Sequence, residues 1–322
     1  MKRVLGVVSE IITEEHILQI SQIASQYGFH VQHYNNSMEA MGCASDFEII
    51  FGNCTVDLIR SAKNLKWHRC VSAGTNRYSE KGLYRCSDSI LSSSSGAFGK
   101  DIAEHITMVT LMLLRNMPQY MVLMRQGGWG SPQEIRTISG STITILGTGD
   151  IGLAFAQRAK AMGAKSVCGI YRSRKPNDRC FDMAYPVSHL DHLLPQTDIL
   201  VLCLPSTVET CGILSKERIN LLSKTSYVIN VGRGTAIDQE ALIDALNGDR
   251  LAGAALDVML PEPLPAGDKL RSAKNIILTP HIAGNIAHSA TRDLIVKLFC
   301  EDFINYVEGK QLKRAVNREK GY

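Results

Sequence analysis

The chain has 322 residues, 45% of them hydrophobic and 20% charged, with 26 Gly and 10 Pro; this balance excludes disordered and collagen-like chains, and the length suits about two domains. The 35 Lys and Arg against 31 Asp and Glu leave a net charge of +4 spread along the chain, which gives no support to binding of nucleic acid or a membrane surface. Nine cysteines without a CxxC pair argue against zinc-ribbon and thioredoxin-like chemistry and fit thiols packed in a reducing cytoplasm.

The opening MKRVLGVVSE reaches Glu10 too soon for a signal-peptide core. From there short β-branched runs alternate with amphipathic ones: strands are expected at 4–8, 30–34, 47–51 and 69–72, with a helix at 13–27. That rhythm is βαβ and implies a parallel sheet covered on both faces. Residues 101–124 read as one long helix, kinked at Pro118 and apolar around most of its circumference. Its Met108, Met112, Met117, Met121 and Met124 recur at mostly helical spacing, which suits a core or a subunit interface, and no metal site is expected. A second βαβ series follows, with strands expected at 142–146, 166–171, 199–204, 227–231, 252–258 and 276–279, and a closing helix at 285–307. The longest uncharged stretch, 275–291, is broken by Pro280 and carries His281, Asn285 and His288, so no membrane span is expected and the protein is read as cytoplasmic.

The strand at 142–146 runs directly into Gly147, Thr148, Gly149, Asp150, Ile151 and Gly152 and then a helical run. GxGxxG alone is weak, but between a strand and a helix its glycines permit a tight turn and let backbone N–H groups approach a pyrophosphate. NAD-preferring folds place an acid about 20 residues later, on the ribose 2′-OH. Here no Asp or Glu lies between Asp150 and Asp178, and the second strand ends in Tyr171, Arg172, Ser173, Arg174 and Lys175. Guanidinium groups there would pair with a 2′-phosphate, so NADP(H) is favoured and NAD(H) remains possible.

Unusual residues, most of them polar, recur just after later strands: Pro205 and Ser206, Arg233, Asp257 and Glu262, and His281, with Leu204, Val231, Gly232, Ala283 and Gly284 beside them as expected cofactor contacts. Ligands of open α/β sheets bind outside the carboxyl ends of the strands, so these loops are expected to converge. The set fits hydride transfer to a 2-keto acid. Arg233 can grip the carboxylate and polarise the keto group, His281 can protonate the developing alkoxide, and Glu262 can favour the charged form of His281.

The segments GAFGKDIAEH, RQGGW, GTGDIG, LPSTVET, NVGRGTAIDQEAL, AALDVMLPEPLP and TPHIAG resemble the NAD(P)-dependent D-isomer-specific 2-hydroxyacid dehydrogenases, which include glyoxylate/hydroxypyruvate reductases and phosphoglycerate dehydrogenase. The resemblance is strongest over residues 96–284. It implies two doubly wound parallel-sheet domains, a Rossmann cofactor domain (99–287) inserted into a flavodoxin-like substrate domain (1–98 and 288–322). It also implies a homodimer built largely on the cofactor domain, catalytic Arg233, Glu262 and His281, a cofactor-side Asp257, and backbone N–H groups for the substrate carboxylate at Ala73 and Gly74. The loop there reads SAGTNRYS, with Asn76 and Ser79 where many members have Asp. Competing readings are a nucleotide-sensing corepressor on the same fold and an NAD-dependent phosphoglycerate-type dehydrogenase. Formate dehydrogenase chemistry needs no proton donor and suits the Glu and His pair poorly.

Overall fold

The computed structural model describes residues 3–131 and 134–320. The first βαβ series forms a five-stranded, all-parallel sheet of β1 (Arg3–Val8), β2 (Phe29–Tyr34), β3 (Phe47–Phe51), β4 (Trp67–Arg69) and β5 (Ile90–Ser92), in the order β2-β1-β3-β4-β5. Every residue of β3 is buried, as expected of a central strand of a sheet covered on both faces. The helices start where the sequence supplies caps. Thr13 closes a capping box with His16 at the start of α1 (Glu14–Ser25), Asn36 caps α2 (Ser37–Ala40), and Thr55 caps α3 (Val56–Ser61).

The second series opens with α4 (Gly99–Leu114) and α5 (Met117–Arg125). The single kinked helix expected at 101–124 is therefore two helices. Asn116 between them adopts a left-handed φ of 53°, and Pro118 sits in the first turn of α5, where its missing N–H costs nothing. Seven parallel strands follow: β6 (Thr142–Leu146), β7 (Ser166–Tyr171), β8 (Met183–Pro186), β9 (Ile199–Leu202), β10 (Tyr227–Asn230), β11 (Gly253–Leu256) and β12 (Ile276–Leu278), in the order β12-β11-β10-β9-β6-β7-β8. Between them run α6 (Asp150–Ala161), α7 (Leu190–Leu193), α8 (Lys216–Leu221) and α9 (Gln239–Asn247). The strand order reverses at β6, which pairs with β7 on one side and β9 on the other. Register is even across the sheet: Leu146 faces both Ile170 and Leu202, Asn230 faces Leu202 and Leu256, and Leu256 faces Leu278. The loops after six strands thus leave the sheet along one edge.

The chain then re-enters the first unit as α10 (Ser289–Val307), which begins four residues later than the helix expected from 285. Its Phe299 ring stacks on Phe51 at 4.2 Å, and Asp302 accepts a 2.7 Å bond from the fully buried Arg69. These contacts place residues Met1–Phe98 and Asn285–Tyr322 in one compact unit and Gly99–Gly284 in the other. Two strands carried too little signal to be expected: β5 has three residues, and β8, MAYP, is an edge strand ending in a proline that only an edge tolerates.

Candidate active site

The glycine loop between β6 and α6 is built by close approach of backbone. Gly147 has φ +99°, and a Cβ there would lie 2.8 Å from the Cys203 carbonyl oxygen; one at Gly152 would lie 2.0 Å from the Gly147 oxygen. A Cβ at Gly149 would meet no protein atom within 4 Å, so this turn faces open space at the N-terminus of a 12-residue helix. Such a terminus presents N–H groups with no intrahelical partner, which fits a dinucleotide pyrophosphate. The Asp150 carboxyl takes a different direction. It accepts from the Gly99 backbone N–H at the start of α4, and partial burial raises its pKa. Asp150 thereby ties α4 to the loop.

Tyr171 ends β7 half-buried, and Arg172, Ser173 and Arg174 follow it in an exposed turn. The nearest acids downstream are engaged elsewhere: Asp178 accepts from the Cys180 N–H at 3.0 Å, and Asp182 accepts from Val167 N–H and Lys160 at 2.8 Å each.

The remaining loops interlock at the same edge. A Cβ at Gly232 would strike Leu204 backbone atoms at 2.5 and 2.6 Å, and one at Gly234 would strike the Met259 backbone at 2.4 Å. Arg233, held extended between these two glycines, is further braced by Asn230, whose Nδ2 donates to the Arg233 carbonyl at 2.9 Å while its Oδ1 accepts from Gly232 N–H at 3.0 Å. Burial pushes the Arg233 guanidinium below its ordinary range, opposed by the nearby Glu262; an arginine stays charged regardless, and its desolvation strengthens its pull on an anion. Glu262 Oε1 accepts from Met259 N–H at 3.0 Å, and its Oε2 lies 2.7 Å from Nδ1 of His281. His281 has a left-handed φ of 55° and a half-exposed ring. Its Nδ1 is taken by Glu262, so Nε2 is the nitrogen available to a substrate.

A family profile, the NAD binding domain of D-isomer specific 2-hydroxyacid dehydrogenases, matches residues 107–283. The chain belongs to that family. It is 30% identical to a glyoxylate reductase of Thermofilum pendens over 274 residues, 82% of this chain and 78% of the relative. A D-isomer specific 2-hydroxyacid dehydrogenase family protein from Aeromonas salmonicida superposes with a TM-score of 0.85 at 28% identity, over 99% of this chain and 100% of the other. An NADPH-dependent glyoxylate/hydroxypyruvate reductase from Sinorhizobium meliloti, solved with NADP and sulfate, gives 0.80 at 25% identity over the whole of both chains.

The dehydrogenase thus carries Arg233, Glu262 and His281 on one edge of one sheet, after β10, β11 and β12. Ala73 and Gly74 lie in the other unit, in the loop after β4, where Ser72 Oγ donates to the Gly74 carbonyl at 2.8 Å. Among the described residues no group of three or more His, Cys, Asp or Glu is placed to hold a metal ion, and no helix is long and apolar enough to cross a membrane. Sequence reasoning missed the braces: Asn230, and Gln239, which exchanges two 2.6 Å bonds with the Leu260 backbone beside Glu262. Both lie inside the NVGRGTAIDQEAL segment, but the partners they hold are fixed only by the fold.

Proposed function

We propose that this dehydrogenase reduces a small 2-keto acid of the glyoxylate or hydroxypyruvate kind to the D-2-hydroxy acid, using NADPH in preference to NADH. The observation that carries the reaction is the 2.7 Å pairing of Glu262 with His281 on the same loop edge as the half-buried Arg233. When bound, the nicotinamide supplies the hydride to the keto carbon. Residues 147–152 and the start of α6 would hold its pyrophosphate, with Leu204, Pro205, Val231, Gly232, Asp257, Ala283 and Gly284 completing the contacts. Arg233 binds the substrate carboxylate and draws electron density toward the keto oxygen. His281 gives the Nε2 proton to the oxygen as charge develops there, and Glu262 orients the ring through Nδ1 and balances its positive charge.

Cofactor preference rests on Arg172 and Arg174 at the end of β7, with Tyr171 and Ser173 beside them and no Asp or Glu in the sequence between Asp150 and Asp178. The NADPH-dependent relative from S. meliloti supports the same reading. A homodimer is proposed through α4 and α5, where Met108, Leu111, Met117, Met121, Val122 and Met124 leave large apolar side chains exposed and a groove of about 940 Å³ opens between the helices and Gly130 and Ile135. The test is initial-rate reduction of glyoxylate and hydroxypyruvate with each cofactor. Replacing Arg172 and Arg174 by Ala should weaken NADPH at least about tenfold while leaving NADH within about twofold, since each charge-assisted bond carries about 1.5–3 kcal/mol. An unmoved ratio would assign the basic turn to solvent.

A further inference from the structure

The loop that carries His281 is wound around one buried side chain. Asp257, 2% exposed, accepts from the Thr279 hydroxyl at 2.6 Å and from Ile282 N–H at 2.9 Å on Oδ1, and from Ala283 N–H at 2.9 Å on Oδ2. Its backbone oxygen accepts from His281 N–H, also at 2.9 Å. Three consecutive amides, 281 to 283, are therefore held by a single residue, and they hold His281 in its left-handed conformation, which a non-glycine residue adopts only when its surroundings impose it.

Thr279 extends this arrangement into α4. The threonine hydroxyl has one hydrogen and gives it to Asp257, so its contact with His105 Nε2 at 3.3 Å is an acceptance from an Nε2–H group. His105 Nε2 also lies 4.0 Å from Asp257 Oδ1, and the His105 side chain is 9% exposed. The geometry points to His105 as a positioning residue of the reaction: through Thr279 it fixes the carboxylate of Asp257, and through that carboxylate it sets the backbone that aims His281 at the keto oxygen. Burial holds the His105 pKa below its ordinary range, against the pull of Asp257, so the ring stays a neutral single donor in keeping with this role. The inference rests on His281 as proton donor, and it names a helix residue that never reaches the substrate.

Two readouts separate this inference from the functional reading. In the cofactor-free protein, His105→Phe should speed hydrogen exchange of the amides at 281–283 about tenfold, the scale of one buried neutral hydrogen bond, with exchange in β6 and β7 unchanged. In the loaded enzyme, at saturating NADPH, the same change should lower kcat for keto-acid reduction by a comparable factor. His105→Gln, which keeps a donor near Nε2, should recover most of both. Thr279→Val should reproduce the loss, and the double variant should be no worse than the worse single one. Unchanged exchange at 281–283, or faster exchange without loss of kcat, overturns the proposal, as does multiplication of the two losses in the double variant. If His105→Phe does not fold, Thr279→Val carries the same pair of measurements. Wild type inactive on every keto acid would refute the functional reading, while exchange would still decide whether His105 holds the loop.

Discussion

His68 provides a quantitative prediction for the unit built on β1 to β5. The imidazole is fully buried in β4, with Nε2 2.9 Å from the Gly52 carbonyl and Nδ1 2.9 Å from the Tyr84 hydroxyl, while Tyr78 packs edge-on at 4.7 Å. Nε2 must donate to the carbonyl and Nδ1 accept from the phenol, so the site is built for the neutral ring. Burial lowers the pKa from 6.5 to about 4. A folded value below the unfolded one means that the unfolded chain takes up the proton first, so stability is complete above about pH 6.5 and is lost as pH falls toward about 4. The whole window amounts to about 3 kcal/mol, and going from pH 7 to pH 5 to about 2 kcal/mol. His68→Gln retains a donor for Gly52 and an acceptor for Tyr84 but does not titrate. Urea unfolding can be followed by tryptophan emission, because Trp67 is fully buried in this unit and Trp129, the only other tryptophan, is 91% exposed. The wild type should lose about 2 kcal/mol more than the variant between pH 7 and pH 5. Parallel pH dependences would refute the reasoning.

His281→Ala should cut turnover roughly 10²- to 10⁴-fold with NADPH affinity nearly unchanged, as measured by initial rates and fluorescence titration; near-normal turnover would remove it as the proton donor. Arg233→Lys should lower kcat/KM by at least about tenfold, because an ammonium cannot make the two parallel bonds of a guanidinium, and a change under about twofold would make Arg233 structural. Gly152→Ala puts a Cβ 2.0 Å from the Gly147 oxygen, so the loop must shift; at about 1–3 kcal/mol for such overpacking, NADPH binding should weaken roughly 5- to 150-fold by calorimetry. Leu111→Asp should dissociate the proposed dimer in sedimentation velocity, and an unchanged sedimentation coefficient would show that α4 is not its seam.

The architecture was legible because each unit repeats one local rule, a β-branched run followed by a capped or glycine-opened helix. The proposed site residues Arg233, Glu262 and His281 stood out because each follows a strand end, and parallel register brings those ends level. What the sequence left hidden is of two kinds. Where local preference competes, as at Asn116 with Pro118 two residues on, a kink and a break look alike until the left-handed turn is seen. Where a contact joins distant residues, no period records it. His105 and Thr279 are 174 residues apart, and Asn230 braces Arg233 only because the NVGRG turn folds back on its own strand.

The two parts of this site also differ in how they are constrained. Arg233 is located by backbone: Gly232 lies against Leu204 and Gly234 against Met259, so closely that no side chain fits at either glycine. His281 is located the same way, by three amides on Asp257. At both positions the contacts fix the backbone and leave the side chain to the chemistry. Arg172, Ser173 and Arg174, by contrast, are exposed at the end of β7. Substitution at exposed positions costs little stability, so the proposed cofactor preference can be altered there without disturbing the braced loops that carry Arg233 and His281.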